Sequence, residues 1–92
     1  MRILEFKTIS PFFEQERDGI KPFTIRQWDG KDKRFRALAQ SRHRHGVVWV
    51  IKITNPATGE SFIRGLKEYR YLWGTDEKWV IIYLGEKVEA KP

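Results

Sequence analysis

The chain has 92 residues, 40% of them apolar, no cysteine and a formal net charge of +6. That length suits one domain with a small core, and the composition excludes a disulfide framework, a thiolate metal site and, for want of an apolar run of about 18 residues, a membrane-spanning helix. The basic excess is local, since Lys31, Lys33, Arg34, Arg36, Arg42 and Arg44 stand against Asp32 alone between residues 31 and 45.

Residues 2–8 alternate, with Leu4 and Phe6 on one side and Ile3, Glu5 and Lys7 on the other, and predict a half-buried strand. A helix is expected next. Ser10 is the expected N-cap and Pro11, which has no N–H and a preset φ, the first helical residue. Phe12 and Phe13 tie this short helix to the core, and Gly19 suits the left-handed conformation that ends it. Residues 23–28 alternate again; placing Phe23 and Ile25 inward leaves Thr24 and Arg26 together on the face opposite the core. Asp29-Gly30-Lys31-Asp32 reads as a turn. From Lys33 to Gly46 the pattern is weakest: Phe35 and Leu38 reach toward the core, and the rest reads as a basic loop over residues 31–45. Residues 47–54 are apolar on both faces apart from Lys52, as in a central strand. Asn55-Pro56-Ala57-Thr58-Gly59 is a hairpin connection, and strands are expected over 60–64, 66–72 and 78–84. The expected fold is α+β: one domain over residues 1–85, a small barrel of five to six strands with one short N-terminal helix, followed by a polar tail over 86–92. Its expected core holds Leu4, Phe6, Ile25, Val50, Ile53, Phe62, Val80 and Ile82. Glu5 interrupts the apolar run that a signal peptide needs, so a cytoplasmic location is the expectation.

Several side chains carry candidate chemistry. His43 and His45 share a strand-like spacing, but no third histidine or cysteine completes a metal site and Arg42 and Arg44 repel a cation, so no metal is expected. No serine lies in a Gly-x-Ser-x-Gly turn, and no glycine precedes a Lys-Ser or Lys-Thr pair as a phosphate loop requires. No cofactor is expected either. Lys21 sits between a helix end and Pro22, where it can contact phosphate or, if desolvated, act as base or nucleophile. Of the four tryptophans, Trp49 belongs to the core, whereas Trp28 and Trp73 lie beside turns, where an indole can stack on a base.

The order strand, Ser-Pro-Phe-Phe helix, Gly19-Ile20-Lys21-Pro22-Phe23-Thr24-Ile25-Arg26 strand resembles the ASCH domain family, small phage-type or amidohydrolase-like members in particular. The resemblance implies a PUA-like β-barrel. Asn55 to Arg64 resembles the hairpin of the small members, and Trp79-Val80-Ile81-Ile82-Tyr83-Leu84 their closing strand. Pro22 stands where the family signature usually has threonine, and Leu38-Ala39-Gln40 occupies the region of its Gly-Asp pair. Some small members are amidohydrolases acting on acetylated cytidine through a lysine, a threonine and a distal glutamate. Lys21 and Thr24 match the first two by resemblance; the helical insertion that carries the third is absent between Leu66 and Trp79, where Glu68 and Glu77 are the only stand-ins.

Three functions follow as expectations. The first is a nucleic-acid-binding module, most simply for RNA, with a cleft at Lys21, Thr24 and Arg26, stacking by Trp28 or Trp73, and phosphates tracked by Arg34, Arg36, Arg42 and Arg44. A local positive field of that kind attracts nucleic acid or a nucleotide-like ligand, although a solvated loop kept positive for solubility accounts for the same run. The second is a small amidohydrolase for a modified nucleoside, with Lys21 and Thr24 catalytic. The third is a phage or mobile-element protein that binds a host protein through its basic loop. No membrane partner is expected.

Overall fold

The computed structural model describes residues 2–42, 48–74 and 76–88. Among these the chain forms β1 (Arg2–Lys7), α1 (Phe12–Arg17), β2 (Phe23–Gln27), α2 (Lys33–Ser41), β3 (Trp49–Thr54), β4 (Ser61–Trp73) and β5 (Lys78–Lys87). The five strands make one mixed sheet in the order β1-β3-β4-β5-β2, with β1 parallel to β3 and every other pairing antiparallel. The sheet curls into a half-barrel. Its two free edges, β1 and β2, are close enough for a single arginine to span the gap between them.

Alternation places the core where the side chains of successive strands converge. Leu4, Phe6, Ile51, Ile53, Phe62, Val80, Ile82 and Leu84 are buried with Phe13 of α1 and Phe35 and Leu38 of α2. Seven of the eight expected core residues are buried; Ile25 is not, being 44% exposed. Strand β2 is turned over relative to expectation: Thr24 is 2% exposed and Arg26 points inward with it. Apolarity alone could not set this register, because β2 is an edge strand whose inward face meets a polar cluster rather than the aliphatic core.

Residues 33–41, expected within a basic loop, form a helix. Asp32 caps it, accepting a hydrogen bond from the Arg34 amide at 2.9 Å, and Phe35 and Leu38, one turn apart, bury its inner face. Arg42 is the C-cap, and Arg44 lies outside the described residues with His43 and His45. The two expected strands over 60–72 are one strand, β4, irregular between Arg64 and Glu68. Here a Cβ on Gly85 would lie 3.3 Å from the Gly65 carbonyl oxygen, so β4 and β5 approach through two glycines. Strand β5 extends to Lys87, beyond the expected domain end at residue 85. Gly19 does take the left-handed conformation after α1, with φ of 79°. Ser10 does not cap: Pro11 holds the N-cap position, and the Ser10 hydroxyl donates instead to the Glu14 carboxylate while accepting from Asn55. No helix of the described residues is long and apolar enough to cross a membrane.

Candidate functional site

The seam between the sheet's edges collects the polar chemistry. In β1 the Arg2 amide and the Thr8 amide just past its end bond to Val48 and Thr54, so even-numbered backbone groups serve β3 and odd-numbered ones point into the seam. Two arginines occupy that free edge. Arg34 of α2 donates to the Glu5 carbonyl at 2.9 Å, and Arg26 of β2 donates to the Lys7 carbonyl at 2.6 Å. Both guanidiniums lie over the Phe6 ring, at 4.5 Å for Arg34 and 5.3 Å for Arg26. A row of carbonyls that would otherwise remain unpaired is thus satisfied by cations.

A relay continues from Arg26. Its Nη2 donates to the Thr8 hydroxyl, the hydroxyl donates to Glu16 Oε1 at 3.3 Å, and Lys21 Nζ donates to Glu16 Oε2 at 3.2 Å. Glu16 is 0% exposed, which a carboxylate tolerates only when paired and hydrogen-bonded. The Lys21 ammonium also lies over the rings of Phe12 and Phe23, at 5.1 and 5.4 Å. Burial pushes the Arg26 guanidinium below its usual pKa, while Glu16 pulls it up and Arg34 pushes it further down; an arginine nonetheless stays charged. Its Nε is buried and has no hydrogen-bond partner among the described residues.

Lys21, Thr24 and Arg26 therefore line one cleft, of about 350 Å³, together with Lys7, Thr8 and Glu16. The carboxylate there is Glu16 of α1. Glu68 and Glu77 are exposed elsewhere, the first bonded to Arg70 and the second to the Trp79 indole. Glu16 was not legible in the sequence as a site residue, because a single acidic residue in a short helix looks like any solvated one. Its spacing from Lys21 was the available signal: the left-handed turn at Gly19 folds the chain back, and the Lys21 amide bonds to the Gln15 carbonyl.

Arg26 lines a second cleft as well, of about 690 Å³, walled by Phe6, Trp28, Arg34, Phe35 and Lys78. Trp73 packs against Trp28 of this cleft, ring centroids 5.6 Å apart, with Lys78 Nζ 5.3 Å from the Trp28 ring and 4.7 Å from the Trp73 ring. The aromatic row continues inward through Tyr71, 5.3 Å from Trp73, to Tyr69. Trp73 is 54% exposed, and Trp49 is buried as expected.

The basic residues of the expected loop divide. Arg34 is engaged with Asp32 at 2.6 Å and with the Glu5 carbonyl, and this partner holds the Asp32 carboxyl below the usual aspartate range. Arg42 lies 3.9 Å over the Tyr69 ring and donates to the Tyr69 carbonyl. Arg36, Lys31 and Lys33 are exposed and form no ion pair among the described residues. No group of metal-ligating side chains occurs among the described residues. No protein-family model, curated protein or solved structure matches the chain, so function rests on this geometry.

Proposed function

We propose that the chain is a nucleic-acid-binding module that takes single-stranded RNA or a nucleotide-like ligand into the seam between β1 and β2, on a PUA-like scaffold of the ASCH type. The observation that carries this reading is Arg26, which borders both clefts, the one with Lys21 and Thr24 and the one with Trp28, whose ring packs against Trp73. A cationic groove beside a half-buried and an exposed indole, Trp28 and Trp73, suits single-strand binding: charge tracks the backbone and aromatic faces stack on bases. Exposed Lys31, Lys33 and Arg36 extend the positive field from α2. Fluorescence anisotropy with a labelled ten-nucleotide RNA tests it. Binding should weaken steeply with salt, and Arg36→Ala should flatten the dependence. Absence of binding at low ionic strength rejects the reading.

One observation favours a second reading, an amidohydrolase acting on acetylated cytidine. The Lys21–Glu16 ion pair shares a cleft with the Thr24 hydroxyl, which gives Lys21 and Thr24 the carboxylate the resemblance calls for, although from α1 rather than from a distal segment. In that reading the Lys21 amine, in its neutral form and positioned by Glu16, would take the Thr24 hydroxyl proton as Oγ1 attacks the acetyl carbonyl and pass it to the departing cytidine amine, and water would then release acetate from the threonine ester. Turnover that is abolished by Lys21→Ala and by Thr24→Ala supports it, because a nucleophile and its base act as a unit. Turnover surviving both rejects it.

A further inference from the structure

The two clefts differ in charge. Around Thr24, Lys7, Lys21 and Arg26 stand against Glu16 alone, and Glu16 is sealed from solvent and already paired with Lys21. Lys7 is exposed, and Arg26 keeps one buried donor, Nε, without an acceptor. That end has donors and positive charge to spare. Around Trp28 the three cations Arg26, Arg34 and Lys78 are matched by Asp29, Asp32 and Asp76, and the wall is aromatic. That end has no net charge and offers ring faces. Arg26 of β2 and Trp28, one residue past its end and still bonded through its amide to the Lys78 carbonyl, are two residues apart, about 6.6 Å along an extended chain.

We infer that, within the nucleic-acid reading above, the seam binds one nucleotide laid along β2, its phosphate in the cleft of Lys7, Lys21 and Arg26 and its base against Trp28 and Trp73. Charge-assisted hydrogen bonds from Lys7 and Lys21 hold the phosphate, and the partly buried Arg26 guanidinium adds its charge to the field there. The base stacks where no surplus charge competes for it. The neutral end would reject a phosphate for want of excess positive charge, and the Lys7 end presents no indole, so the reversed placement satisfies neither half of the ligand.

The test is calorimetric titration of cytidine, of its 5′- and 3′-monophosphates and of inorganic phosphate into the full chain and into Lys7→Glu and Trp73→Ala, both exposed positions that leave the core intact. One of the two monophosphates should bind at least about tenfold more tightly than cytidine, an advantage that Lys7→Glu removes while leaving cytidine unchanged. Trp73→Ala should weaken cytidine and its monophosphate by the same factor, about fivefold or more, and leave inorganic phosphate unaffected. Equal binding of nucleoside and nucleotides, or a Trp73→Ala loss confined to inorganic phosphate, overturns the assignment. A ten-nucleotide strand that binds with salt dependence although no monophosphate responds to Lys7→Glu would keep the nucleic-acid reading and overturn this placement. Failure of both strand and nucleotides to bind rejects the two together.

Discussion

Glu16 and Lys21 meet five residues apart because Gly19 reverses the chain between them, and the carboxylate is sealed at 0% exposure while the lysine is partly exposed. Removing the lysine alone leaves a buried anion short of a partner, so Lys21→Ala should destabilise the fold by about 1–3 kcal/mol. A double-mutant cycle with Glu16→Gln, followed by urea denaturation, should return a coupling of about 0.5 kcal/mol or more; additive losses would mean the pair is not a unit. Asp32 acts at the same scale. As the cap of α2, its replacement by alanine should cost about 1 kcal/mol. Arg34 holds the Asp32 pKa below the value it has in the unfolded chain, so the stabilisation is complete above the unfolded value of about 3.9 and is lost as pH falls through the lower folded value. Thermal unfolding of Asp32→Asn should therefore lose the part of the acid sensitivity that this carboxylate supplies.

At the scale of elements, the orientation of β2 separates what sequence can and cannot give. Strands β1 and β5 were legible because their alternation runs against an aliphatic core, where one register is much cheaper than the other, and β3 because it is apolar on both faces, as a central strand is. Strand β2 carries the same alternation, yet Thr24 and Arg26 face inward because Thr8, Glu16 and Phe6 await them. Helix α2 was obscured by its charges, although Asp32 at the cap and Phe35 and Leu38 at helical spacing were present in the sequence. Lys21, Thr24 and Arg26 were legible as a set from one motif, whereas the approach of Trp28 to Trp73 depends on β2 and β4 flanking β5, which no local pattern announces. Alanine substitution reads the β2 orientation directly. Ile82→Ala should cost about 2–5 kcal/mol as a core truncation, while Ile25→Ala should stay within about 0.5 kcal/mol, as an exposed site does. Equal losses at the two positions would return Ile25 to the core.

At the scale of the whole molecule, the half-barrel leaves two strand edges that would invite pairing with another chain, and it occupies the gap with guanidiniums and a lysine-carboxylate pair. That arrangement places the cations where the sheet fails to close: unpaired carbonyls recruit them, and the proposed site is the positive seam that results. Two residues of the basic run are committed to the fold, Arg34 to Asp32 and β1 and Arg42 to Tyr69, whereas Lys31, Lys33 and Arg36 are exposed. Anisotropy of a labelled ten-nucleotide RNA, titrated with salt for the unaltered chain and for a Lys7→Glu, Trp73→Ala double variant, tests the central claim most directly. Binding should be salt-dependent and lost in the double variant while the fold is retained, whereas equal binding by the two proteins would rule out the seam as the site.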